Sequence, residues 1–330
     1  MKKMWQWLTR LGALAVLLVL LGACGKGVSL DNEKKVDDKP AADGEKTAQV
    51  EEKKPGDLKV GLSISTLSNP FFVSVEEGVK ALAKEEGTEI VTLDAQDNTE
   101  TQINNVNDLL QQKIDILLIN PVDASAITPA VEAANEAKVP VVLIDRSSDG
   151  GDVVTLVASD NVKGGEMAAE YIVDQLGEKA KVAQLEGIPG SSSARERGEG
   201  FNNVAKDKLD VVDTQTANFD RAEGLTVMEN ILQGHSDIQA VFAQNDEMAL
   251  GAIEALKGAN MLDKVLVVGF DGTEDGIKAV KNKEMGLTIA QQPEEMGKLA
   301  LQAAFDYFAG KDVSEKIDSP LEEVTPDTAQ

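Results

Sequence analysis

Short apolar segments alternate with longer segments of helical periodicity from Leu58 onward. Apolar runs bounded by polar residues are typical of buried strands, and apolar residues three or four positions apart are typical of amphipathic helices. The predicted strands are Lys59–Ile64, Ile90–Leu93, Ile114–Ile119, Val139–Ile144, Val153–Val157, Lys181–Leu185, Val211–Thr214, Ile238–Ala243, Val265–Phe270 and Leu287–Ala290. Strands alternating with helices predict an α/β fold with parallel sheets covered by helices on both faces.

The two halves of this region show the same order of elements. Residues 77–120 and residues 199–245 both read as helix, strand, polar loop, helix and strand, and both end in asparagine. A repeat of this length predicts two similar doubly wound domains.

The first 57 residues differ in character from the rest of the chain. Residues 1–23 have a basic start and an apolar run that ends in small residues, which is typical of a secretory signal peptide. The ending Leu21–Cys24 resembles the lipobox of bacterial lipoproteins, in which the cysteine is acylated, and Cys24 is the only cysteine. Residues 24–57 are charged and lack apolar periodicity, which predicts a disordered acidic tether. We therefore expect an exported protein, anchored by lipid on Cys24 to the outer face of the cell membrane.

The charge of the chain limits its partners. The predicted signal holds three of the 32 basic residues, so the remainder carries 29 Lys and Arg against 57 Asp and Glu. Nucleic-acid binding needs a basic face, so this class of partner is excluded. We expect a monomer.

Polar and aromatic side chains follow the predicted strands at the edge where open α/β sheets bind ligands. They are Asn120, Asp145, Arg146, Asn245, Asp246, Phe270, Asp271 and Gln291, with Arg195, Arg197, Phe219 and Arg221 in adjoining segments. Each single Asn or Asp could instead make a turn or cap the next helix. Together, however, carboxylates, amides and arginines suit the hydroxyls of a polyol, and aromatic rings can cover its C–H faces.

Several longer motifs match a known family. They are STLSNPFFVSVEEG, LLINP, ASDNVKGGEMA, ARERGEGF, NFDR, VFAQNDEMALGA, VVGFDGT and TIAQQP. From Leu58 to about Gly310 the chain resembles the bacterial D-ribose-binding proteins, which are substrate-binding components of ATP-driven (ABC) sugar importers. The resemblance implies the type I periplasmic-binding-protein fold, in which two doubly wound parallel-sheet domains are joined by a three-segment hinge. The first domain would comprise residues 58–160 and 292–320, and the second residues 161–291 and 321–330.

The resemblance also implies a set of sugar contacts. Asn69 would supply a hydrogen bond, and Phe71 and Phe72 would be aromatic walls. Arg197 would donate to a ring or hydroxyl oxygen, and Phe219 would cover the opposite face. The other implied contacts are Asn120, Asp145, Arg146, Asn245, Phe270, Asp271 and Gln291. Hexose-binding relatives commonly use tryptophan, which is absent after the predicted signal, so a pentose is favoured.

The neighbouring phenylalanines have a structural alternative. Asn69 and Pro70 suit the cap and first turn of a helix, which places Phe71 and Phe72 at its start. Successive helical positions point about 100° apart, so the two rings are not expected to face the same core. One ring in the core and the other in a domain contact would explain the pair without a ligand.

Other classes of protein fit less well. An enzyme is disfavoured because residues 58–330 contain a single histidine, His235, and no cysteine, P-loop or GxGxxG motif that opens a helix after the first strand. A sugar-responsive repressor would need a DNA-binding segment where the predicted signal and tether stand. Residues 94–105 resemble a calcium loop but lack its turn glycine and final glutamate, so we expect no metal, and Thr99 is predicted to cap a helix. No cofactor is expected.

Another pentose, allose or a signalling furanose remains an alternative to D-ribose. The expected protein partners are a membrane permease, to which the closed form presents both lobes, and a chemoreceptor as a further candidate.

Overall fold

The structure is a computed structural model that describes residues 52–329. The predicted signal peptide, Cys24 and the tether up to residue 51 lie outside the described residues. Residues 52–57 were predicted as the end of the disordered tether, but they are part of the folded structure. Pro55–Asp57 form a 3₁₀ turn, and Lys53 pairs with Asp115. In the described part of the chain, no helix is long and apolar enough to cross a membrane.

Two six-stranded sheets form the centre of the part of the chain that the structure describes. In chain order the strands are β1 Lys59–Ile64, β2 Glu89–Asp94, β3 Ile116–Ile119, β4 Val141–Ile144, β5 Thr155–Ser159, β6 Lys181–Glu186, β7 Asp210–Thr216, β8 Ala240–Ala243, β9 Leu266–Asp271, β10 Leu287–Ala290, β11 Lys316–Ser319 and β12 Glu322–Val324. The first sheet has the order β11-β5-β4-β3-β1-β2 and the second β12-β10-β9-β8-β6-β7. All pairs are parallel except β10 with β12.

Helices cover both faces of each sheet. They are α1 Pro70–Glu86, α2 Thr99–Gln111, α3 Thr128–Glu136, α4 Asn161–Leu176, α5 Ser192–Lys208, α6 Arg221–Gly234, α7 Asp246–Gly258, α8 Glu274–Lys281 and α9 Pro293–Phe308. We call the first sheet with α1, α2, α3 and α9 the first lobe, and the second sheet with α4 to α8 the second lobe. Each lobe has two apolar cores, one on either face of its sheet, so the doubly wound α/β fold predicted from the sequence is confirmed.

Within residues 52–329 the chain passes between the two sheets three times. It leaves the first sheet after β5, returns after β10, and crosses again between β11 and β12. Because neighbouring strands are parallel, the carboxyl ends of β1, β3 and β4 meet at one edge of the first sheet. The ends of β6, β8 and β9 likewise meet at one edge of the second sheet. These two edges position the residues that follow the strands.

All ten predicted strands are present, with small differences in their ends. The strand predicted at Val211–Thr214 spans Asp210–Thr216, for example. Strands β11 and β12 were missed because they are short and mostly exposed, without an apolar run. The predicted cap of α2 was wrong by one residue: Asn98, not Thr99, accepts the hydrogen bond from the backbone N–H of Thr101.

Candidate ligand-binding site

Residues from both lobes line one narrow cavity at the carboxyl ends of the strands. The lining residues are Asn69, Phe71, Phe72, Asp145 and Arg146 from the first lobe and Ser193, Arg197, Phe219, Asn245 and Asp271 from the second. The cavity has about 10 Å³ of free volume, and wider clefts of about 350 and 90 Å³ share lining residues with it. Such a small volume holds about one water molecule. A ligand of the size of a sugar therefore enters only if the lobes separate.

The end of β4 carries the charged pair of the first lobe. Asp145 has a positive φ of 65°, and the backbone N–H of Arg146 donates to the carbonyl of Ile144 at 2.7 Å. This hydrogen bond closes a three-residue turn around Asp145, a strained conformation that is found at functional sites. The turn directs both side chains toward the cavity, where Nε of Arg146 lies 3.5 Å from Oδ2 of Asp145.

The guanidinium of Arg146 lies between aromatic rings of the two lobes. Its central carbon is 4.9 Å from the ring centroid of Phe72 and 5.3 Å from that of Phe219. Its Nη1 donates to the carbonyl of Pro121 at 3.1 Å. Arg146 thus joins the lobes by cation–π contacts as well as carrying hydrogen-bond donors.

The start of α1 supplies the aromatic side of the first lobe. Oδ1 of Asn69 accepts a hydrogen bond from the backbone N–H of Phe71 at 2.9 Å and caps the helix. Because the cap uses the carboxamide oxygen, the amide nitrogen is the group that can reach a ligand. Phe71 and Phe72 pack edge to face, with ring centroids 5.1 Å apart, and both belong to the same apolar core. The expectation that the rings cannot share a core was wrong, because the T-shaped contact lets both rings enter it from the first turn.

The second lobe has a charged pair of its own. Nη1 of Arg197 lies 3.3 Å from Oδ1 of Asp271, and both residues are buried. Nη1 also donates to the carbonyl of Gln244 at 2.6 Å, and Nε donates to Oδ1 of Asn161 at 2.9 Å. Asp271 ends β9 with a φ of 110°, a second strained position at the cavity.

Burial makes both site carboxylates costly to ionise. Burial raises the pKa of Asp145, against the attraction of Arg146 and Arg197. It also raises the pKa of Asp271 to about 8, although Arg197 opposes the shift. Oδ1 of Asp145 has no hydrogen-bond partner among the described residues. A hydroxyl group of a ligand would donate a hydrogen bond to Oδ1 of Asp145. Hydrogen bonds from ligand hydroxyls would also favour the charged forms of Asp145 and Asp271.

Phe219 closes the cavity from the second lobe. It lies in the left-handed region with a φ of 61°, and Nδ2 of Asn245 donates to its carbonyl at 3.2 Å. A Cβ on Gly187 would stand 2.0 Å from Cζ of Phe219, so the ring can take this position only because residue 187 is glycine. Oδ1 of Asn245 caps α7 through the N–H of Met248. Asn245 therefore has both a structural role and a place at the cavity.

Three predicted contacts lie behind the cavity wall. Asn120 joins strand ends through hydrogen bonds with the N–H of Ser65 and the carbonyl of Ile144. The ring of Phe270 lies under Arg197, with its centroid 3.7 Å from the guanidinium carbon. Nε2 of Gln291 donates to Oδ1 of Asp271 at 2.9 Å, while its Oε1 is buried without a partner among the described residues. The side chains of Asn120, Phe270 and Gln291 therefore support the lining residues in this structure. Their predicted contact with a ligand stays a prediction.

Arg195, Arg221 and Asp246, which the sequence also indicated as candidates, have other roles. Arg195 is half-exposed and reaches Asp149 of the first lobe at 3.5 Å. Arg221 pairs with Glu247 and Asp275 on the surface of the second lobe. Asp246 is buried, and its carboxylate accepts hydrogen bonds from Thr273 and Thr288 within the second lobe.

Ser193 is the lining residue that the sequence did not predict. It lies in the first turn of α5, one turn before Arg197, and its hydroxyl is 2.8 Å from that of Ser191. The run Ser191–Ser193 precedes the motif ARERGEGF, and the i, i+4 spacing from Ser193 to Arg197 is the signal that could have indicated a shared helix face.

Two doubly wound lobes with a polar cavity at their opposed strand ends form the arrangement of a solute-binding protein. Residues 60–312 match the model of the "Periplasmic binding protein domain" family, and the chain belongs to that family. It is similar to the Ribose import binding protein RbsB of Bacillus subtilis, with 57% identity over 80% of this chain and 86% of that protein. Its identity with the Ribose import binding protein RbsB of Salmonella typhimurium is 51%, over 78% of this chain and 87% of that protein.

A solved structure shows the same fold. The ABC transporter solute-binding protein of Bacillus halodurans with bound myo-inositol has a TM-score of 0.78 and 32% identity, over 86% of this chain and 98% of that one. The prediction of a binding component of an importer rather than an enzyme is therefore confirmed.

Proposed function

We propose that the protein captures D-ribose between its lobes and delivers it to an ABC permease. The observation that carries the proposal is the meeting of two buried Asp–Arg pairs, Asp145 with Arg146 and Arg197 with Asp271, in one cavity between Phe72 and Phe219. The similarity to two ribose import binding proteins supports ribose as the sugar.

The geometry gives each group a role in sugar binding. The carboxylates of Asp145 and Asp271 accept hydrogen bonds from hydroxyl groups, and Arg146 and Arg197 donate to oxygens of the sugar. Phe219 covers one face of the ring from the second lobe. Closure of the lobes removes water from around the sugar, which strengthens these hydrogen bonds. Because the sugar contacts both lobes only in the closed form, its binding shifts the population toward the closed form that the permease meets.

We also propose that the lobes move about the three crossings between the sheets. The proposed boundaries are residues 58–160 with 292–320 for the first lobe, and residues 161–291 with 321–330 for the second. The sheet membership of β5, β10, β11 and β12 supports them. A cavity too small for a sugar agrees with such opening and closing.

Titration calorimetry tests the choice of sugar. The purified full chain in detergent should bind D-ribose with about micromolar or tighter affinity, which corresponds to about −8 kcal/mol or below. D-xylose, D-allose and D-galactose, titrated in parallel, should bind at least about tenfold more weakly. Absence of heat with ribose, together with clear binding of another sugar, would refute the assignment to ribose.

A six-carbon polyol is the second candidate. The related Bacillus halodurans protein holds myo-inositol at 32% identity, so this fold and a related sequence accommodate a six-membered ring. myo-Inositol is therefore added to the same titration series. Tighter binding of myo-inositol than of ribose would favour this candidate and would leave the proposed site in place.

We propose in addition that lipid on Cys24 anchors the protein to the membrane, on the basis of the sequence Leu21–Cys24. Cells labelled with radioactive palmitate should incorporate label into the parent protein and not into Cys24→Ala. The variant should also appear in the soluble fraction, because no acyl chain holds it. Equal labelling of both proteins would contradict the anchor.

A further inference from the structure

Asn161 is a buried polar residue at the first position of α4, just after the chain leaves the first sheet. An asparagine at the start of a helix usually caps it. Here Asp160 makes the cap, because its Oδ1 accepts a hydrogen bond from the N–H of Lys163 at 2.9 Å. The carboxamide of Asn161 is therefore available for contacts with other elements.

Those contacts are directed at α5. Oδ1 of Asn161 accepts the hydrogen bond from Nε of Arg197 at 2.9 Å. Its Nδ2 donates to Oε2 of Glu196 at 3.2 Å and lies 3.4 Å from the carbonyl oxygen of Ser159. Because the Nε–H bond lies in the plane of the guanidinium, an acceptor at this position sets the orientation of the whole plane.

A second set of contacts holds the rest of the guanidinium. Nη1 donates to the carbonyl of Gln244 and lies near Asp271, and the ring of Phe270 stacks below the plane. Helices α4 and α5 pack closely, since a Cβ on Gly165 would lie 2.2 Å from the carbonyl oxygen of Arg197. These contacts leave Nη2 as the nitrogen of Arg197 without an acceptor among the described residues.

Apart from the carbonyl of Ser159, which ends β5 of the first sheet, all of these groups belong to the second lobe, so the contacts of Arg197 itself do not depend on the position of the first lobe. We infer that Asn161 is a positioning residue for ligand binding: it holds the guanidinium of Arg197 toward the cavity before a ligand arrives. A side chain oriented in advance loses less conformational entropy on binding. The identity of the ligand rests on the proposed function, whereas the contact between Asn161 and Arg197 does not.

The first test needs no ligand. In the full chain with ¹⁵N-labelled arginine, the Nε–H of Arg197 should give a resonance that exchanges slowly with solvent and is lost in Arg197→Lys. Asn161→Ala should shift this resonance and speed its exchange by about tenfold or more, because it removes the acceptor. Unchanged position and exchange in Asn161→Ala would overturn the inference.

The second test exchanges the two hydrogen-bonding groups. Asn161→Ala should weaken ribose binding by about tenfold, the effect of one hydrogen bond to a charged group. The double variant Asn161→Asp/Glu196→Gln should bind within about threefold of the parent, since a carboxylate at 161 still accepts from Nε and an amide at 196 donates to it. Glu196→Gln alone is the matched control and should also stay within about threefold. Failure of the double variant to restore affinity would contradict a role through this hydrogen bond.

A double-mutant cycle separates positioning from a general structural effect. In the Arg197→Lys background, Asn161→Ala should change ribose affinity by less than about twofold, because lysine has no Nε–H for Asn161 to hold. An undiminished effect in that background would overturn the inference. If the parent chain binds no ribose, the proposed function fails instead, and the exchange experiment still decides whether Asn161 holds Arg197.

Discussion

Replacement of Asp271 by asparagine is expected to weaken ribose binding by about 100-fold while the sugar-free protein keeps its melting temperature within a few degrees. Hydrogen bonds to charged groups contribute about 1.5–3 kcal/mol each, and about 1.4 kcal/mol is a factor of ten in affinity. The loss of two hydroxyl contacts to the carboxylate accounts for the expected change. Titration calorimetry and a thermal melt without sugar measure the two quantities.

The expected stability follows from contacts that asparagine can keep, because its amide oxygen can accept the hydrogen bonds that Arg197 and Gln291 donate to Oδ1 of Asp271. Burial raises the pKa of Asp271 to about 8, so the folded protein also disfavours the charged carboxylate. A neutral amide therefore costs the fold little. Asparagine is also better suited than alanine, because the φ of 110° at residue 271 is more accessible to Asn and Asp than to other side chains.

Asp246→Ala is the matched control, since Asp246 is an equally buried carboxylate of the same lobe. Its side chain accepts hydrogen bonds from Thr273 and Thr288, and it does not line the cavity. Removing it leaves these hydroxyls without their acceptor, which costs about 1–3 kcal/mol and lowers the melting temperature. Ribose affinity should change by much less than in Asp271→Asn. The reverse pattern, with stability lost in Asp271→Asn and affinity kept, would make Asp271 a structural residue.

The fold could be predicted from the sequence because its elements are long and locally periodic. Apolar runs such as Ile116–Ile119 and Val141–Ile144 are buried on both faces of a sheet, and this burial requires the continuous apolar pattern of the sequence. Strands β11 and β12 have no such pattern. Lys316–Ser319 becomes a strand only because the chain returns to pair with β5, and a non-local pairing leaves no periodic signal in the sequence.

The candidate site was predictable as a set of strand-end residues, but the role of each residue was not. Asn120, Phe270 and Gln291 lie at the expected strand ends, yet they contact Ile144, Arg197 and Asp271 instead of lining the cavity. Which side chain faces the cavity depends on turn geometry, as at Asp145, and on close packing, as at Gly187. Asn161 stands at a position typical of a capping residue, and the cap that Asp160 makes is what leaves its carboxamide for Arg197.

Replacement of Arg146 by methionine is expected to weaken ribose binding by about 100-fold to 1,000-fold. Arg146 is buried beside Asp145, and its guanidinium contacts Phe72 of the first lobe and Phe219 of the second. Methionine preserves much of the apolar volume but leaves Asp145 without its cation when the lobes close. Breaking a buried ion pair from one side costs about 3–5 kcal/mol, and about 1.4 kcal/mol is a factor of ten. Calorimetry with ribose measures the loss.

Arg195→Met is the matched control, because it makes the same change at an arginine that also reaches across the lobes. Arg195 and Asp149 are half-exposed and 3.5 Å apart, so their pair should contribute about 0–1 kcal/mol and the variant should bind within about fivefold of the parent. The double variant Asp145→Asn/Arg146→Met should lose less binding free energy than the sum of the two single variants, since no unpaired carboxylate is then buried on closure. Equal losses in Arg146→Met and Arg195→Met would contradict a special role for Arg146. Small-angle scattering of the parent and of both variants with saturating ribose would then separate two effects. A larger radius of gyration in a variant than in the parent would indicate a loss of closure, and an equal radius would indicate a loss of sugar contact.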